Sequence, residues 1–468
     1  MDWRDRRIEE LERKLEAVLE RVSVLEAENA ELKRRLRADS TNSSKPPSSD
    51  GLSKRPAMPR ERGKRSRGKQ RGSDGRYLMQ VAVPDEVVEH VPDACDACGE
   101  RLDPTDVVQT ETRQVADLPP IELHWVEHRS RRLRCSCGHV TAGEFPDGVN
   151  APAQYGPGLR AAAAYLCGYQ HVPYDRARQL FADLLGAQVS TGWIVNSVAS
   201  VSDATIPVVA AIADAIAGAD VAPFDETGAR VDGKPHWVHV AATDRLAYFD
   251  VHDKRGTDAM RDIGILPEFT GIAMHDGLSS YRQFDAATHA LCGAHHLREL
   301  AGVAELYEQP WAAELADLLI EIKERVEQAR PALLPKRVQR RFRRRYDKIV
   351  RIGRAANPPP PPTGKRGRPK LGKPGSLAKR LDEHADDALR FMTDPRVPFD
   401  NNQAERDIRM IKVQQKISGG YRTFEGAQRG MDLRSYITTT RKHDHSVIAA
   451  LRAAAEGCPW NFGLTPAT

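Results

Sequence analysis

Apolar residues recur every three to four positions through the first 37 residues. Ile8, Leu15, Val22, Asn29 and Leu36 share one heptad position, and Leu11, Val18, Leu25 and Leu32 share the other. Glu and Arg fill many of the places between them. This seam predicts a parallel two-stranded coiled coil over 1–37, in which Asn29 fixes the register by pairing with its mate. So narrow a stripe could instead lie on another domain, although it would cover little of one. The period vanishes from 38 to 78, where Ser, Pro, Lys, Arg and Gly dominate, as in "TNSSKPPSSDG". An extended, disordered basic linker is expected there. Residues 79–145 alternate short β-like runs with turns. From 150 to 218 the pattern is helical and Ala-rich. Its second part, "YDRARQLFADLLGAQVSTGWIVNSV", predicts helix, turn, helix, with Gly186 ending the first and Ser190 or Thr191 capping the second. A groove-reading helix-turn-helix and a plain helical hairpin both fit this pattern.

The texture changes at about residue 219. "DVAPFDET" reads as a strand ending in carboxylates, and "ARVDGKPHWVHVAATDRLAYFDVH" as strands joined by short turns. A helix around 258–263, a strand "GIAMHD", a short helix near 279–284 and a strand "THALC" complete a mixed α/β sheet. Residues 297–355 are helical and increasingly basic. "NPPPPPTGKRGRPKLGKPG" is a Pro-rich loop, because proline supplies no backbone donor. Helices resume near Leu377 and again after Phe399. The core is expected over 219–435, with a helical insertion at about 297–395, followed by a C-terminal helix and tail over 436–468.

The formal net charge of the 468 residues is only +5, but the cations are clustered. Leu52–Arg76 holds ten Lys and Arg against two acids, and Lys336–Lys370 holds fourteen against one. Two such runs point to a polyanionic partner, most simply nucleic acid. The first residues are too charged for a signal sequence, and no stretch is expected to reach the ~18 apolar residues of a membrane helix. A cytoplasmic, nucleoid-associated protein with no membrane partner is the expectation. In a reducing compartment the close pairs Cys95/Cys98 and Cys135/Cys137 suggest metal rather than disulfides. Four thiolates would make a closed tetrahedral Zn²⁺ site, with His139 as a reserve ligand.

Asp225 and Asp276 each end an apolar run, so a sheet could make them neighbours despite their separation in sequence. Two adjacent carboxylates repel unless a cation lies between them, and hard oxygen donors suit Mg²⁺ or Mn²⁺. Glu405, about one turn into the segment that begins at Asp400, is the best third ligand. Asp407 faces another side of that helix, and Glu226 would point to the opposite face of its strand. Each of these acids also has a plain structural reading as a cap, turn former or surface charge. Cys292 and His295, followed by His296, could be half a metal site, or they could be structural.

"DETGARVDGKPHWVHV", "HDGLSSY", "LCGAHHLREL" and "DNNQAERDIRMIKVQQKISGGYR", in that order, together with the "NSSKPPSSDG" linker after a zipper, resemble the transposases of the insertion sequence 66 family. The resemblance covers nearly the whole chain. It implies an RNase H-like catalytic fold whose Asp, Asp and Glu fall on Asp225, Asp276 and Glu405. It also implies a helical insertion before the Glu, a zinc-binding domain, and small accessory proteins as frequent partners. One departure is Leu278, where many relatives carry an aromatic residue. The implied activity is metal-dependent cleavage at transposon ends and strand transfer into target DNA. The rival readings are a non-catalytic DNA-binding regulator or inactive remnant, another RNase H-like nuclease, and a zipper-based structural protein. "GKRGRPKLGK" resembles an AT-hook, with Lys365, Arg366, Arg368 and Lys370 flanking a minor groove, although a solvated loop fits equally well. Lys412, Lys416 and Arg422 follow Glu405 and are expected close to DNA phosphates.

Overall fold

The structure, a computed structural model, describes residues 3–39, 42–43, 78–119, 121–360 and 371–464. Most of the expected basic linker therefore lies outside the described residues. Helix α1 (Trp3–Arg37) is continuous, and its heptad side chains face solvent, with Leu15 59 % and Leu36 87 % exposed. Its C-terminal end leans on the main body through the Arg34 guanidinium, 5.0 Å from the Tyr307 ring centre.

Residues 79–145 contain one small antiparallel pair, β1 (Arg132–Arg134) with β2 (Val140–Ala142). Few apolar side chains are buried there, and Val108, Val115 and Trp125 are 96 %, 92 % and 75 % exposed.

Three helices follow. Helix α2 (Pro157–Ala163) runs on into a π-helical turn over Ala164–Tyr169, and α3 (Tyr174–Leu185) and α4 (Thr191–Ala217) come next. The expected caps form. Gly186 ends α3 at φ 63°, a left-handed conformation that costs glycine little. The Ser190 hydroxyl accepts the Trp193 N–H at 3.1 Å at the start of α4. Helix α4 overturns one expectation, because by length and composition alone it is long and apolar enough to cross a membrane. Its apolar face, from Ile194 to Ile216, is buried in the largest core cluster. That burial favours the plain hairpin over a helix free to enter a DNA groove.

The sheet comprises β3 (Val221–Val231), β4 (Lys234–Ala242), β5 (Ala247–His252), β6 (Ile272–His275) and β7 (Thr288–Leu291). Helices α5 (Thr257–Ile263) and α6 (Ile265–Glu268) connect β5 to β6. The strand order is β5-β4-β3-β6-β7, with antiparallel pairing from β5 to β3 and parallel pairing from β3 to β7. The expectation that β3 ends at its carboxylates needs correction. Only its pairing with β6 ends near there, while its ladder with β4 continues to Val231.

Strand alternation divides the core between the two sheet faces. On β3, Ala222 and Phe224 point into the cluster that contains α4, whereas Ala229 and Val231 point to the other face. That second face carries two clusters. One belongs to helices α7 (Gly293–Tyr307), α8 (Pro310–Ala329), α9 (Lys336–Ala356), α10 (Lys373–Glu383), α11 (Ala385–Ala388) and α12 (Arg390–Thr393). Their core of Trp311, Leu315, Phe342, Tyr346 and Leu381 rests on the parallel edge through Ile272, Met274 and Leu291. These helices occupy the stretch over which a helical insertion is expected, about 297–395. The other cluster lies under α13 (Asn402–Ser418), whose Ala404, Ile408 and Ile411 are buried on β3 and β4.

The expected boundary between 435 and 436 falls inside α14 (Phe424–Lys442). This helix cannot be divided there, because it closes the sheet. Its Ser435 and Thr439 hydroxyls accept the edge N–H groups of Phe249 and Ala247 at 2.9 and 3.1 Å. Those donors would otherwise be buried and unsatisfied. Helix α15 (Val447–Ala455) packs beside it.

Candidate active site

The β3–β6 register pairs Val221 with Ile272, Ala222 with Ala273 and Pro223 with Met274. The same offset carried two residues further sets Asp225 level with Asp276. Alternation puts Asp225 on the face shared by α13 and the insertion, at the seam between their two cores. Asp276 follows β6 in a turn that needs Gly277 at φ 96°, and its Oδ1 accepts the Leu278 N–H at 2.8 Å. Glu405 lies in the first turn of α13. Buried Asn401 seats that helix: its N–H donates to Cys292 Sγ and its Nδ2 to the Phe224 carbonyl, both at 3.4 Å. Among the described residues Asp225, Asp276 and Glu405 do not form a group whose ligand atoms all lie within 4.8 Å of one another. The Asp225 carboxyl is pushed well above its ordinary range, first by burial and then by the charges of Glu226, Asp276 and Glu405.

Glu405 is held by the Arg298 guanidinium, with His295 nearby. Its Oε1 lies 3.0 Å from Arg298 Nη2 and 3.4 Å from His295 Nδ1. Cys292, His295 and Glu405 offer one ligand atom each, all within 4.8 Å of one another, and among the described residues this is the one such group. Burial raises the Cys292 thiol to about 12 and lowers the His295 imidazole, whose neighbour Arg298 lowers it further. The sequence alone shows neither this convergence nor Arg298, which meets an acid 107 residues away. His296 is fully buried, and its Nδ1 lies 3.9 Å from Glu299.

Glu226 points the other way, as strand alternation requires. Arg255 Nη2 and Nε donate to its Oε1 at 2.7 and 2.9 Å, and the Tyr281 hydroxyl donates to its Oε2 at 2.5 Å. Tyr281 stacks on His275 at 4.5 Å, and His275 Nδ1 accepts the Gly277 N–H at 3.0 Å. The Nε2 of His275 must then carry the proton and donate to His289 Nδ1 at 3.1 Å. This buried layer braces the turn that carries Asp276. Tyr281→Phe should leave a buried carboxylate one donor short and cost about 1–3 kcal/mol of stability. Urea denaturation checks this, and a loss below ~0.5 kcal/mol would deny the hydroxyl a supporting role.

Asp407, the rival to Glu405, is turned toward Lys442 Nζ at 3.6 Å. Lys412 is half-buried and donates to the Gly228 carbonyl, whereas Lys416 and Arg422 are exposed. Lys365, Arg366, Arg368 and Lys370 lie outside the described residues. A cleft of about 520 Å³ opens beside Asp276, between Gly277, Ser279 and Arg282 on one side and Lys379, Arg380 and His384 on the other.

The cysteine pairs are each locally closed. Backbone N–H groups of Ala97 and Cys98, then the Cys98 thiol, lower the Cys95 thiol. The Cys137 N–H and thiol do the same for Cys135. The structure does not draw the two pairs into a single group of donors.

Comparison with known families accounts for most of the chain. Residues 92–138, which contain all four of these cysteines, match the zinc-finger binding domain of transposase IS66. Residues 2–78 match a family of unknown function. No curated protein matches the chain at a significant level. The Transposase IS66 family model matches residues 152–429, which include Asp225, Asp276, Glu405 and the helical insertion. That match spans more than half of the 468 residues, and the chain belongs to the IS66 family of transposases.

Proposed function

We propose that this transposase cuts and joins DNA at an RNase H-like, metal-dependent centre formed by Asp225, Asp276 and Glu405. The observation that supports the reading is the β3–β6 register, whose offset sets Asp225 level with Asp276, together with the charges of Asp276 and Glu405 that reach the buried Asp225 carboxyl. The mixed sheet, antiparallel over β5–β4–β3 and parallel over β3–β6–β7, supports the RNase H-like assignment.

The donor set fits a hard divalent cation. Mutual repulsion and burial hold Asp225 toward its neutral form, a cost that a cation would relieve. Bound at these oxygens, Mg²⁺ or Mn²⁺ would activate an attacking water or 3′-OH and stabilise the leaving oxygen of a phosphodiester. The chain's own residues prepare the site. Arg298 donates to the Glu405 carboxylate and holds it in place. Arg255 and Tyr281 keep Glu226 occupied on the far face. The cleft beside Asp276 supplies room for substrate. Glu405→Gln should lower Mg²⁺-dependent cleavage of DNA carrying the element's ends by on the order of 10³-fold, the scale of several kcal/mol of transition-state stabilisation. Unaltered activity would move the third ligand elsewhere.

Cutting two transposon ends together needs at least two subunits, and the exposed α1 seam supports a parallel two-stranded coil between copies. Replacing Leu11 and Leu25 with Asp should halve the molar mass measured by light scattering. A surviving dimer would assign self-association to another surface.

A further inference from the structure

Helix α9 divides sharply into two faces. Phe342, Tyr346, Ile349, Val350 and Gly353 are buried in the insertion core. At 100° per residue, Arg337, Arg341, Arg344, Lys348 and Arg351 fall on the opposite side, spaced 4, 3, 4 and 3 apart, and all five are exposed. Among the described residues none of the five has an ion-pair partner. The acids nearby are already engaged: Glu321 pairs with Arg345, and Asp347 and Asp386 pair with Arg343. Glu321 also feels the charge of Arg341. Five cations held on a rigid, packed helix pay a standing repulsion that a surface salt bridge network would have removed, and no such network forms.

We propose that this face of α9 is a docking track for the phosphate backbone of duplex DNA, separate from the catalytic seam. From Arg337 to Arg351 the helix rises about 21 Å, which matches roughly six base pairs at 3.4 Å each. Four arginines and a lysine at that spacing suit a line of phosphates. They offer no fixed pattern of acceptors and donors for base edges, so the contact is independent of sequence. The insertion thus holds DNA beside the core that cuts it, and the proposal rests on DNA being this protein's substrate.

The test uses the full-length protein and a fluorescent random-sequence duplex, with affinity measured from 50 to 200 mM KCl. Changing all five residues to Gln should reduce the slope of log K against log[salt] by about 4.5, from ~0.9 per phosphate contact. Over that salt range the wild type should then lose roughly 500-fold more affinity than the variant. Arg344→Lys, which keeps the charge, should leave the slope unchanged. Circular dichroism of the five-fold variant confirms that the solvent-facing changes leave the helix folded. An unchanged slope overturns the proposal, as does a variant that loses binding to single-stranded RNA or polyglutamate while its duplex affinity stands. Cleavage of end-containing DNA, measured in parallel on the unmodified protein, tests the transposase centre separately. A slope change without cleavage would support the track while counting against that centre, and cleavage without a slope change would do the reverse.

Discussion

Asp225→Asn should abolish metal-dependent cleavage and, in the same protein freed of divalent ions, raise the melting temperature. The two effects have one cause. The Asp225 carboxyl is buried beside Glu226, Asp276 and Glu405, and its pKa stands well above the ordinary value of 3.8. Asparagine keeps the shape and removes the charge that the fold resists. It also removes a donor of the proposed metal centre, for an expected loss on the order of 10³-fold or more in cleavage rate. Mg²⁺ should stabilise the wild type and leave the variant unmoved.

The pH dependence follows from the sign of that shift. A native carboxyl that keeps its proton to a higher pH than the unfolded chain does makes folding less favourable as pH rises between the two values. The variant's advantage over wild type should therefore be small near pH 4 and grow as the pH rises through the window above it. Comparing the two proteins cancels raised carboxyls that do not act on Asp225, such as Asp432. Thermal melts in chelator at several pH values read this directly. A variant that melts lower than wild type at neutral pH, or that still responds to Mg²⁺, would place the cation elsewhere.

Removing zinc should unfold the segment around 92–138 and leave the catalytic body intact. Residues 79–145 bury almost no apolar surface, and their regular structure is one three-residue ladder. A segment with so little core needs another source of stability. Zinc held by thiolates contributes roughly 10–16 kcal/mol to small zinc-binding peptides, far more than this surface can supply. The zinc-finger match over 92–138 contains Cys95, Cys98, Cys135 and Cys137, the ligands expected from the sequence. Cys98→Ser, or treatment with a strong chelator, should make this segment sensitive to protease while the body over 152–429 stays resistant. Equal protection with and without zinc would refute a structural metal there.

Some of this protein follows from its sequence alone. The α1 heptads, the Gly186 and Ser190 caps and the strand–helix succession after residue 219 are local features, set by side-chain spacing and backbone preference. The opposite facings of Asp225 and Glu226 are equally local, because a strand alternates its side chains whatever it packs against. Tertiary structure decided what spacing cannot encode. β3 runs past Asp225 because β4 pairs with it, and α14 is one unbroken helix because its hydroxyls satisfy the edge of β5. Helix α4 is a buried core element although its composition would also suit a membrane. Arg298 and His295 meet Glu405 only because Asn401 docks α13 against the middle of β3 and the residue that follows β7. Such contacts depend on chain closure over a hundred residues, and the free energy that selects them comes from burial shared across the whole fold rather than from any one segment.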